Sequence, residues 1–291
     1  MIDDSGYTYV HEHLHIDLSP QKGDIDCRLD QYDLIKEELL QLKLRGVFNI
    51  VEVTNRFMGR NHHFIEDLAV DTGMNILLST GYYIDGFFPP ELHSRSAREI
   101  SSEMVGEIEN GIAGSGMKAS LIGEIGSSEN TFTDIEKKVF EAAAYAHLET
   151  GRPISTHQSM SSMGRQQVMW LKQYGVNMNN VTIGHCDLKD NLDDIVWLID
   201  QGCYVQFDTI GKNDYYPDTR RLDMLQVLSE RGYLERVMLS MDITRRSHLK
   251  ENGGLGFCYL VDAFIPMLRE RGISQQEIDT MLKHNPSQLF G

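Results

Sequence analysis

Eight times along its length the chain alternates a short apolar, β-branched run with a helical segment. The runs lie at 7–10, 47–54, 75–83, 119–126, 153–158, 181–186, 204–209 and 237–242. Helices are expected over 30–44, near 61–72, over 95–110, 133–150 and 162–174, from about Asn191, over 218–231, and near 258–271 and 274–283. Gly46 and Gly151 stand where the helices over 30–44 and 133–150 should stop, as glycine past a helix end does. Strands such as VFNIVEVT are apolar on both faces, which suits a parallel sheet covered by crossover helices. Eight such units predict an α/β fold, a single (β/α)8 TIM barrel occupying 1–291 as one domain. The 291 residues suit that fold, which typically takes about 250.

Charge and cysteine usage remove several classes. With 27 Lys+Arg against 43 Asp+Glu, the formal charge of −16 repels nucleic acid and anionic membrane. No apolar run reaches the ~18 residues of a membrane span. The start, MIDDSGYTYV, is acidic and lacks the apolar stretch of a secretory signal, so a cytoplasmic protein is expected. Cys27, Cys186, Cys203 and Cys258 form no C-x-x-C pair, which argues against a disulfide framework and a thiolate zinc site. Cys186 reads as a small buried filler beside His185. The expected partner is a small-molecule substrate, with no nucleic acid and no membrane; a homodimer is compatible with this.

Potential metal ligands sit at the ends of five of the eight runs. His11 and His13 close the first in YTYVHEHLH, and residues i and i+2 of a strand point the same way. Glu124 follows ASLIG, His157 follows PIST, His185 follows VTIG and Asp242 follows VMLSM. In a (β/α)8 barrel these ends surround the active site. Each histidine alone would more often be an ordinary buried ring. Glu124 and Asp242, however, would be costly as unpaired carboxylates in apolar strands, and a metal supplies the missing charge. The donors suit Zn, with Mn, Co or Ni able to use the same set. Six ligands favour two divalent metal ions about 3.5–4 Å apart over one, with Glu124 as the natural bridge.

His11-Glu12-His13-Leu14-His15 also spells H-E-x-x-H, the zinc-protease signature. That motif works on a helix, with His15 as ligand and Glu12 as base. The residues before it favour strand, and Pro20 follows soon after. On the strand reading Glu12 points away and packs or pairs with a neighbouring element. His15 then lies beyond the strand end, as a residue behind the ligands or of the loop rather than a ligand.

The motifs HEH at 11–13, GEIG at 123–126, STH at 155–157, GHCDLKDNLD at 184–193 and LSMD at 239–242 resemble the phosphotriesterase family of the amidohydrolase superfamily. The resemblance covers nearly the whole chain. It implies that His11, His13 and Asp242 bind the more buried metal and that His157 and His185 bind the more exposed one, with Glu124 bridging. Authentic phosphotriesterases bridge with a carbamylated lysine. Glu124 carries the same charge on a shorter arm, which counts against triester hydrolysis and removes any need for carbon dioxide in assembly.

The reaction expected is hydrolysis of an ester-type bond by a water shared between two cations and deprotonated near neutral pH. Asp242 is the expected catalytic proton acceptor, and donor towards the leaving group. The loops after the strands are basic for so acidic a chain: Arg56, Arg60, Lys189, Lys212, Arg245 and Arg246. They point to a small anionic substrate such as a phosphorylated lactone or ester, held by Lys212, Arg245 and Arg246. The bland alternative pairs these bases with Asp187, Asp190 and Asp208. Tyr82, with Tyr83, Phe87 and Phe88, forms a pocket wall or merely caps the barrel; Tyr215 and Tyr216 carry the same ambiguity. Two other classes fit the residues: an amidase or deaminase on the same barrel, and a metal-binding barrel with little catalysis.

Overall fold

The computed structural model describes residues 2–291. Its sheet has eight strands: β1 (Tyr7–Glu12), β2 (Val47–Glu52), β3 (Asn75–Thr80), β4 (Ala119–Ser127), β5 (Ile154–Gln158), β6 (Val181–Ile183), β7 (Tyr204–Phe207) and β8 (Val237–Leu239). They are ordered β1 to β8 in space as in sequence, and every neighbouring pair is parallel. This is the expected (β/α)8 barrel.

The seam between β1 and β8 is closed largely by a side chain. The Glu12 carboxylate accepts hydrogen bonds from Ser240 Oγ (2.7 Å), Met241 N (2.7 Å) and Ile243 N (3.0 Å). The amide of Asp242 donates to the His11 carbonyl at 3.3 Å. Glu12, facing away from its histidine neighbours, therefore joins the first strand to the last. His15 bonds the Gly59 carbonyl at 2.8 Å and packs on Phe64, as a loop residue.

Helices fill the crossovers where the pattern places them. Helix 97–109 starts with a capping box between Ser96 and Glu99, and helix 134–150 with one between Thr133 and Glu136. The main core lies between sheet and helices. A second cluster fills the barrel: Val10, Val51, Leu77, Leu121 and Met238, with Leu289 and Phe290 of the last helix packed against them. Apolar packing occupies that interior, so the polar strand ends cluster at the other end.

Two differences from the sequence reading have local causes. β6 and β8 stop at Ile183 and Leu239, earlier than expected, because the chain turns out of the ladder. His185 (φ 54°) and Asp242 (φ 52°) are left-handed just beyond. The last two helices each contain a π-turn, at Leu260–Phe264 and Thr280–His284. Pro266 and Pro286 follow closely and have no N–H to continue the α-helical ladder.

Candidate metal centre

Six side chains converge, with the Glu124 carboxylate at their centre. Glu124 Oε1 lies 3.4 Å from His13 Nε2. Its Oε2 lies 3.4 Å from His11 Nε2, 3.2 Å from His157 Nδ1 and 3.7 Å from His185 Nε2. Asp242 Oδ1 is 3.3 Å from His13 Nε2 and 3.8 Å from His11 Nε2. All six residues are buried. Their donor atoms fall into two groups of metal-binding size that share Glu124, one with His11 and His13 and one with His157 and His185. Asp242 borders the first.

Glu124 reaches this point because Gly123 precedes it. Gly123 has φ 136°, and a Cβ there would lie 2.1 Å from the Ser155 carbonyl oxygen on β5. Only glycine lets β4 approach β5 this closely.

The outer ring nitrogens are each held from behind. His11 Nδ1 lies 2.9 Å from Gln206 Oε1, His13 Nδ1 2.7 Å from Thr54 Oγ1, and His185 Nδ1 2.9 Å from Asp208 Oδ1. His157 is reversed: its Nε2 meets Ser159 Oγ at 3.0 Å and the Tyr83 hydroxyl at 3.3 Å, so Nδ1 faces inward. Gln206 Oε1 and the Asp208 carboxylate only accept. They therefore hold a proton of His11 and His185 on Nδ1, so that Nε2, the atom facing Glu124, is the one available to a cation.

His11 Nε2, Glu124 Oε2 and His157 Nδ1 are buried and make no hydrogen bond. Leaving a buried polar atom unpaired costs about 1–3 kcal/mol. Cations between these atoms would satisfy all three, so the residues fit a divalent metal pair.

The electrostatics agree. Burial opposes charge on His13, but Asp242 and Glu124 outweigh it and lift its pKa to about 10. Burial likewise opposes the Glu124 carboxylate, yet His11 and the other imidazoles hold it well below the usual carboxylate range. Asp242 is held down against burial chiefly by Lys212, whose Nζ contacts Asp242 Oδ2. The carboxylates thus stay charged and draw positive charge to the cluster.

Sequence reasoning missed much of this supporting shell. Asp208 follows β7 as Glu124 ends its own apolar run, and the same signal could have marked it. Gln206, Thr54 and Ser159 carried no signal. Arg221 carried none either, although it is fully buried. Its guanidinium bonds Asp187 Oδ2 (2.8 Å), Thr209 Oγ1 (2.8 Å), Asp218 Oδ1 (2.8 Å) and the Tyr216 carbonyl. It thereby ties the loop after β6 to both ends of the loop after β7. Arg221→Met strands two buried carboxylates and is expected to cost about 3–5 kcal/mol in urea unfolding; a loss under 1 kcal/mol would contradict this.

The expected substrate residues are placed unequally. Lys212 faces a cavity of about 210 Å³ that His157, His185 and Asp242 also line. Arg245 lines an adjoining cavity of about 520 Å³, which shares Lys212 and Tyr215 with the first. Its guanidinium already sits 3.3 Å from Asp24 and 3.5 Å from Asp26. Arg246 lines neither cavity; it is spent on Asp30 (2.6 Å) and the Arg28 carbonyl (2.7 Å). Tyr82 is turned away as well. It is buried against Phe57 with its hydroxyl on Glu103, and the next residue, Tyr83, is the one that reaches His157. The reason is local: Tyr82 forms an isolated parallel bridge with Arg56, and consecutive side chains in extended chain face opposite ways. Arg56 and Arg60 both pair with Glu107. Most of the basic loop residues are thus neutralised, by acids other than those the sequence suggested, and Lys212 alone contacts the cluster.

A barrel with this polar rim is that of a metal-dependent hydrolase. The phosphotriesterase family model matches residues 2–290, and the chain belongs to that family. Enzymes of the family use a binuclear divalent metal centre. The chain is 59% identical over 288 residues to the phosphotriesterase homology protein of Escherichia coli (strain K12), covering 99% of each chain. The crystal structure of that protein, with phosphate in its active site, superposes with a TM-score of 0.99 at 58% identity and full coverage of both chains. An engineered phosphotriesterase-like lactonase from Deinococcus radiodurans gives 0.89 at 29% identity, covering 100% of this chain and 98% of that one. The N-acetyltaurine hydrolase of Homo sapiens is 29% identical over 269 residues, 88% of this chain and 76% of that one. Among the described residues no helix is long and apolar enough to cross a membrane.

Proposed function

We propose that the chain hydrolyses small anionic esters, lactones or phosphoesters with a pair of divalent cations, most simply zinc. His11, His13 and Asp242 would hold one ion and His157 and His185 the other, with Glu124 between them. The observation that carries the reading is the convergence of four imidazoles on Glu124, with three of the facing atoms otherwise unsatisfied. Bound there, the ions supply an acidified water and a Lewis acid for the carbonyl or phosphoryl oxygen.

The chain's own groups do the rest. Asp242 turns Oδ1 to His13 and Oδ2 to Lys212. Asp242 lines the cavity, and its Oδ2 would accept a proton from the attacking water and pass it to the leaving group. An anionic substrate group competes with Asp242 for Lys212. Binding it would loosen that contact and free Oδ2 for the proton. The adjoining larger cavity gives the rest of the substrate room beyond Lys212.

Lys212→Met is therefore expected to raise KM for anionic esters about tenfold and leave neutral ones within twofold, matching one charge-assisted hydrogen bond of about 1.5–3 kcal/mol. Arg245→Ala should do less, because Asp24 and Asp26 already occupy its guanidinium. An unchanged ratio of anionic to neutral KM in Lys212→Met would end the anion assignment.

Hydrolysis of a small amide is the second reading. The relative acting on N-acetyltaurine favours it. Running amides beside esters and lactones in the same panel separates the two.

A further inference from the structure

The loop after β5 holds three non-glycine residues in left-handed backbone: Met160 (φ 52°), Ser161 (φ 52°) and Met163 (φ 71°). That conformation is uncommon for residues with a Cβ and persists only where the surroundings enforce it. Here the enforcement is visible. Ser161 Oγ donates to the His185 carbonyl at 2.5 Å and accepts from Leu188 N at 3.0 Å. Ser162 Oγ donates to the Ser159 carbonyl at 2.6 Å and accepts from Asn130 N at 2.9 Å.

Those bonds account for Ser161, held directly and through its neighbour Ser162. They do not account for Met160, which is left 38% exposed. A position that only had to turn the chain would suit glycine or asparagine better. Instead a large apolar side chain lines the 210 Å³ cavity beside His157 and His185. Leu18, Leu188 and Tyr215 line the same cavity. Lys212 enters it from the loop after β7 and Lys22 lines it as well, so apolar side chains and cationic groups share the space with Ser159, Thr209 and Thr244.

We propose that Met160 is a specificity-determining residue, forming the apolar wall for a short alkyl or acyl limb of the substrate while Lys212 holds its anionic end. This rests on the reading given under Proposed function and narrows it to small anionic esters with a short apolar limb. Methionine suits the task, because its flexible thioether adapts to limbs of different shape.

Calorimetric titration of the zinc-loaded full-length chain with methyl-, propyl- and butylphosphonate tests it without needing a substrate. Affinity of the unsubstituted protein should rise about two- to fourfold for each added methylene. Met160→Gln should flatten the whole series to about twofold or less and leave methylphosphonate nearly unchanged. Met160→Gly, whose backbone suits a left-handed φ, should flatten it equally, which separates the side chain from the strain. A series that is flat in the unsubstituted protein, or equally steep in both variants, would overturn the proposal. Lys212→Met should weaken all three phosphonates by one factor. If it does not, while the slope still depends on Met160, the anion reading fails and the apolar wall stands. No binding of any phosphonate would overturn both.

Discussion

Glu124→Ala is expected to lower bound metal below two ions per chain and to reduce turnover by about 10³-fold or more. The magnitude follows from the charge stabilisation of several kcal/mol that a metal pair provides, at about tenfold per 1.4 kcal/mol. The reason for so large an effect is that Glu124 faces all four imidazoles, with Oε1 towards His13 and Oε2 towards His11, His157 and His185. Among the described residues no other carboxylate is placed to replace it. Asp242 comes near only the His11–His13 side, and Asp208 is committed to the back of His185 and His11. Elemental analysis with circular dichroism separates loss of metal from loss of fold. A folded variant that kept two ions and full turnover would refute the bridging role.

Asp242→Asn should lower kcat by about 10²–10⁴-fold, the range expected when a positioned proton acceptor is removed. The amide keeps the shape and an oxygen for the His13 side, but it no longer attracts Lys212 and cannot take a proton near neutral pH. The effect should therefore appear in kcat more than in metal content, whereas Glu124→Ala should affect both. A kcat within about threefold of the unsubstituted enzyme, at equal metal content, would leave Asp242 as a ligand without a catalytic role.

Read from sequence, the barrel was legible because its signal is local and repeated. Each apolar run is followed by a helix with its own stop or cap, as Gly151 ends helix 134–150 and Thr133 with Glu136 begins it. The six candidate ligands were legible for a related reason. A parallel barrel brings the same ends of all its strands together, so donors near or just beyond those ends converge, as His185 and Asp242 do from left-handed turns. The choice of strand over protease helix at His11–His15 also followed from local pattern, and His15 indeed stands apart from the cluster.

The supporting shell was not legible in that way. Gln206 reaches His11 across 195 residues of chain and Thr54 reaches His13 across 41. Nothing in their neighbourhoods marks them as different from other polar strand residues. The loop cations show the opposite failure: Arg245, Arg246, Arg56 and Arg60 look alike in sequence, yet each is already paired with an acid distant in sequence. Local periodicity and the chemistry of side chains set the number of strands, their direction and the donors at their ends. Which nitrogen of each ring faces Glu124, which lysine stays near Asp242, and how Glu12 closes the barrel were decided by tertiary packing. Such contacts join side chains from different strands and loops, and their energies depend on burial and distance, which the order of residues does not contain.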